Sequence, residues 1–77
     1  MIITLDHLKD GEKATIHDIL GGHGIRHRLN HLGVHPQDQV EVIRSGYPGG
    51  PMLIKVHDTQ VGIGQGMAKR IEVEVTP

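Results

Sequence analysis

The chain has no cysteine, no tryptophan and no phenylalanine, and its 77 residues include a single tyrosine, Tyr47. Each shortage closes a class of function. Without cysteine there are no disulfides, no thiolate metal sites and no cysteine nucleophile, which suits a reducing compartment. With one aromatic ring there is no platform for base stacking, on which small barrels that bind RNA or single strands depend. A net charge of −1 supplies no basic field to replace it, so no nucleic acid is expected as a partner. One serine, Ser45, is present and no G-x-S-x-G surrounds it, so serine catalysis is not expected. Residues 1–6 lack a basic stretch followed by a long apolar run and do not read as a signal peptide. No apolar run approaches the ~20 residues of a membrane span. A cytoplasmic protein that does not itself span a membrane is expected.

The chain does have aliphatic residues: 9 Ile, 6 Leu and 7 Val. Most are β-branched and suit a pleated surface, so strands are favoured over a helix bundle. At this length one domain, residues 1–77, is expected, with little room for a deep substrate cavity.

The apolar spacing then places the elements. Residues 4–8 read as one helical turn capped by Thr4, with Leu5 and Leu8 on one side and Gly11 ending it. Residues 13–20 read as a strand whose apolar phase slips at Asp18-Ile19, the mark of a bulge. Residues 21–24 (Gly-Gly-His-Gly) are a break. Ile25, Leu29 and Leu32 recur at i, i+4 and i+7, which gives a helix over about 25–32, ended by Gly33 and Pro36. Residues 39–45, 52–57, 60–63 and 71–75 read as further short strands, separated by a Gly/Pro turn at 46–51, a tight turn at Asp58-Thr59 and a loop or single helical turn at 64–70. The sum is mainly β: about five short antiparallel strands and one short inserted helix, as a small closed or partly closed barrel.

Motifs for phosphate or dinucleotide binding are missing: there is no G-x-x-x-x-G-K-[ST], and Met67 stands where a dinucleotide fingerprint needs glycine. Glu72 and Glu74 share a strand face and read as solvated. Gly22-His23-Gly24 ahead of a helix reads as a tight turn, or as free amides facing an anion beside Arg26 and Arg28.

Histidine is the most distinctive feature. There are seven, and protonating all of them would move the net charge from −1 to +6. His23, His27, His31 and His35 recur at every fourth position. On a helix His27 and His31 are neighbours on the side opposite Ile25, Leu29 and Leu32, and His23 could add a third ligand at the helix start. Such a set suits a divalent transition metal, Fe2+ or Zn2+. A solvated helix face is the other reading. No acid stands between His27 and His31, so the zinc-protease H-E-x-x-H pattern is absent.

The ordered series Leu5-x-x-Leu8-x-x-Gly11-Glu12-x-Ala14-x-Ile16, Gly21-Gly22, Leu29-x-x-Leu32-Gly33-Val34-x-Pro36, Val40-x-Val42, Gly50-Pro51, Ile54-x-Val56, Val61-Gly62-Ile63-Gly64 and Ala68-x-x-Ile71-x-Val73 resembles the ferrous iron transport protein A (FeoA) family. It covers nearly the whole chain. Family members often carry glycine just after the proline of the Leu-Gly-x-x-Pro segment, where this chain has Gln37-Asp38. The resemblance implies an SH3-like barrel with a short inserted helix, a fold shared with the C-terminal domain of iron- and manganese-dependent repressors.

It also implies a non-enzymatic accessory protein of bacterial ferrous iron uptake. Its partner would be FeoB, the membrane G-protein permease, bound and modulated on its cytosolic side. Arg26, Arg28 and Tyr47 are the candidate contacts. No cofactor is required. The alternative is a transition-metal-binding or metal-sensing module using His23, His27 and His31, a role the family pattern does not include. Near the sequence pI of 6.6 charge repulsion is minimal, and weak homo-oligomers are expected.

Overall fold

Period-two runs of aliphatic residues become strands, and they pair in a single antiparallel sheet. The computed structural model describes residues 1–46 and 49–75. In chain order it has β1 (Ile2–Thr4), a 3-10 turn (Leu5–His7), β2 (Lys13–Ile19), α1 (His23–His31), β3 (Gln39–Arg44), β4 (Met52–Val56), β5 (Thr59–Ile63), α2 (Gln65–Ala68) and β6 (Ile71–Glu74). The sheet order is β1-β6-β2-β3-β4-β5. Inward residues from β2 to β6, among them Ile16, Val42, Ile54, Ile63 and Val73, share one buried cluster. One cluster fed from five strands means that the sheet curls around it. Among the described residues the two end strands, β1 and β5, do not pair with each other, so the barrel is partly open.

The sheet has six strands, not five. The additional one is β1, in register with β6 (Ile3 opposite Val73). Three residues are too few to show a period, and the Leu5/Leu8 turn beside them carries the stronger pattern. The bulge expected near Asp18 is present: the β2–β6 register shifts between Ile16 and Asp18. A second shift, between Val42 and Arg44, turns Ile43 outward. The β4–β5 turn is centred one residue earlier than expected, on His57-Asp58, both at positive φ (50° and 63°). Two such residues between paired strands make a type I′ hairpin, whose twist matches the sheet. Thr4 occupies the expected cap position, but its hydroxyl bonds the Asp6 carboxylate rather than a backbone amide.

The helix also shifts. It runs His23–His31 rather than 25–32, because Gly22 takes the N-cap and His23 and Gly24 are already helical. At its other end Gly33, at φ +83°, reverses the chain. The Val34 N–H donates to the Leu29 carbonyl (2.9 Å) and the Gly33 N–H to that of Asn30 (3.0 Å), a Schellman closure. Of the expected apolar stripe only Leu29 is fully buried and Ile25 is half-buried; Leu32 stays 40% exposed. Val34 fills the core position instead.

Candidate functional site

The candidate residues gather on α1, which enters the core through Leu29 and keeps its polar side chains outside. His27 and His31 face each other one turn apart. Their Nε2 atoms lie 3.0 Å apart, with ring centroids 4.4 Å apart and the planes at 82°. His23 starts the helix and does not complete a ligand set: among the described residues no group of three or more His, Asp or Glu side chains converges on a metal position. Arg26 reaches Asp18 at 3.5 Å, with both side chains about half exposed (48% and 46%). A pair so long and so open contributes little. Arg28 lies in the last turn of α1 and is exposed. Tyr47 lies outside the described residues.

A groove of about 430 Å³ runs beside α1. Ile19 and Val34, both buried, give it an apolar floor, and Pro36 adds to the apolar surface. The polar lining comes from His23, Arg26, His27, Asn30 and His35, with no carboxylate among them.

A second, wider groove of about 920 Å³ follows β2, β3 and the β4–β5 hairpin. Opposite charges neighbour one another along its strands. Glu41 stands opposite Lys13 on one side and Lys55 on the other. Lys55 also reaches Asp58 at 3.7 Å. Asp38 is the centre of this region. Its Oδ2 accepts the His35 backbone N–H (2.9 Å) and lies 3.3 Å from His35 Nδ1, and its Oδ1 lies 2.9 Å from His57 Nε2. Burial pushes this carboxyl up, but the bonds from His57 and His35 and the His57 charge outweigh it and hold it below the usual carboxylate range.

Asp38 thus clasps the 35–38 loop to the tip of the β4–β5 hairpin. Sequence reasoning did not find this cluster. His57 and Asp38 are 19 positions apart and meet only because β3 pairs with β4, so no local spacing announces them.

Six short antiparallel strands curled over an aliphatic core, with one helix inserted after the second, make this an SH3-like β domain. The chain belongs to the FeoA family: the FeoA domain model matches residues 3–75. It is 33% identical over 66 residues to an Fe(2+) transport protein A of Methanocaldococcus jannaschii, covering 86% of this chain and 78% of that protein. Among solved structures, the crystal structure of an iron uptake regulatory protein (FeoA) superposes with a TM-score of 0.90 at 35% identity, over 96% of this chain and 97% of that one. A manganese-dependent transcriptional repressor superposes with a TM-score of 0.89 over 97% of this chain, but at 17% identity and over only 42% of the repressor. That second likeness is one of fold. Among the described residues no helix is long and apolar enough to cross a membrane.

Proposed function

We propose that this chain is a cytoplasmic, non-enzymatic accessory protein of ferrous iron uptake that binds the cytosolic side of the G-protein permease FeoB and modulates it. The observation that carries the reading is the FeoA family match, which runs from residue 3 to residue 75. The exposed Arg26 and Arg28 of α1, on different sides of the helix, are the proposed contacts, joined by Tyr47. The test is a titration of 15N-labelled protein with the cytosolic domain of the permease. Amide shifts clustered on residues 21–31 are expected. An unchanged spectrum rejects the permease as partner.

A second reading is supported by one distance, the 3.0 Å between the Nε2 atoms of His27 and His31. Two imidazoles at that separation can hold a divalent transition metal, Fe2+ or Zn2+, from one side, with the remaining ligands supplied from elsewhere. Replacing both histidines with alanine should abolish any Zn2+ or Fe2+ affinity measured by calorimetry without oxygen. Unchanged affinity would discard this reading.

A further inference from the structure

We propose that the groove beside α1 is a docking site for an acidic peptide segment of a protein partner, one carboxylate meeting Arg26 and an adjacent apolar side chain entering over Ile19 and Val34. This deepens the accessory-protein reading given above and rests on it.

The inference starts from the distribution of charge. The chain has nine Asp and Glu residues, yet none between Ile19 and Gln37. The same stretch carries Arg26, Arg28 and four histidines. Those residues form α1 and its two flanks, so α1 itself carries bases and no acid, with Asp18 and Asp38 at the two ends of the stretch, on a molecule whose net charge is −1. The nearest acid, Asp18, holds Arg26 only at 3.5 Å and in the open. A guanidinium so loosely held can turn to a second carboxylate and grip it with two parallel N–H donors. Asn30, on the same lining, offers an amide donor.

The groove's shape selects among anionic partners. Its apolar floor is a place for a side chain, not for a phosphate backbone or a lipid headgroup. Stable attachment to an anionic membrane takes a cluster of roughly 4–8 Lys and Arg, and α1 has two arginines. Single-stranded nucleic acid needs stacking platforms, and no aromatic of the Phe, Tyr or Trp type lies on α1. At about 430 Å³ the groove lies within the roughly 300–1,000 Å³ typical of ligand pockets. An acidic segment with one apolar residue matches both its charge and its lining.

The experiment uses the full 15N-labelled chain and three probes: a pentapeptide of alternating glutamate and leucine, the same peptide with glutamine for glutamate, and the cytosolic domain of the permease. The acidic peptide should shift the amides of Ile19, Asn30 and Val34. Its affinity should fall about tenfold with Arg26→Glu or with the glutamine peptide, and fall again on raising salt from about 50 to about 500 mM. Asn30→Asp, an exposed change, should weaken binding in the same direction and serves if Arg26→Glu disturbs the fold. Equal affinity for the two peptides overturns the acidic occupant. Shifts that miss the groove overturn the site. Groove shifts that appear on raising protein concentration alone assign the surface to a second copy of this chain and overturn the proposal. Permease-domain shifts lying outside the groove also overturn it while leaving the accessory reading standing, whereas a silent permease domain removes that reading instead.

Discussion

The two grooves lie on one small barrel and differ in how firmly their charged groups are held. Along β2, β3 and the β4–β5 hairpin one carboxylate is tightly held, Asp38, by two imidazoles and a backbone amide; Glu41 merely stands opposite Lys13 and Lys55 in the sheet, and Lys55 reaches Asp58 at 3.7 Å in the open. Beside α1, Asp18 reaches Arg26 at 3.5 Å in the open, and Asp38 holds His35 at the far end of the groove. The Asp38 cluster serves folding, because a half-buried carboxylate gains from being hydrogen-bonded and would cost if left unpaired. The open Arg26–Asp18 pair does little for folding, and surface bases of that kind are retained at small energetic cost whether or not a partner exists. The difference separates residues that hold the domain together from residues available to something outside it. Side chains chosen for iron-uptake function should therefore be sought on α1 and not in the wider, more polar groove.

The largest expected effect tests whether α1 belongs to the cooperative fold at all. Leu29 is its one fully buried side chain. Leu29→Ala should destabilise the domain by about 3 kcal/mol, the usual cost of a buried leucine truncation, measured by urea unfolding. A cost below about 1 kcal/mol would mean that α1 opens independently of the sheet, and that its outer surface is not held in the geometry described above.

A smaller effect distinguishes the two faces directly. Asp38→Asn should cost about 1–2 kcal/mol at neutral pH, because two imidazole contacts lose their charged acceptor. The sign of its pH dependence follows from the carboxyl being held low in the folded protein. Its contribution is fully present above the ordinary carboxylate range of about 4 and is lost as pH falls through the lowered folded value. The gap between native and Asp38→Asn stability should therefore close in acid. Arg28→Ala on α1, measured in the same way, should change stability by less than about 0.5 kcal/mol. Comparable losses at Asp38 and Arg28 would erase the contrast between the faces.

Much of this architecture is legible in the sequence, because strands and short helices declare themselves through local periodicity. The Ile71, Val73, Val75 alternation, the slip at Asp18 and the glycine closing α1 were all readable without coordinates. What escaped depends on long-range pairing or on very short elements. β1 has three residues and acquires meaning only from β6. Leu32 fits the helical stripe, but the turn at Gly33 brings Val34 into the core ahead of it. The His27/His31 pair was visible at i, i+4, whereas the Asp38–His57 clasp was invisible because the sheet, not the chain, brings its members together. The basic groove lies between these cases: its residues are local, but Ile19 and Val34 become its floor only once β2 and α1 are packed.

The one expected gain in stability concerns the loop that carries the clasp. Gln37 sits at φ +80°, in the left-handed region that favours glycine. Its N–H donates to the Ile16 carbonyl (2.8 Å), and the Asp38 N–H donates to the His35 carbonyl (3.2 Å), so the turn is fixed from both ends and cannot relax to an ordinary φ. A side chain in that region costs roughly 1–2 kcal/mol, which glycine avoids, while glycine's freer unfolded chain returns about half of the gain. Gln37→Gly should therefore stabilise the domain by about 0.5–1 kcal/mol in urea unfolding and leave Asp38 bonded to His35 and His57. If the substitution destabilises instead, the Gln37 side chain contributes to the fold-serving groove it lines, and that face holds even more of the domain's stability than its charge pairs indicate.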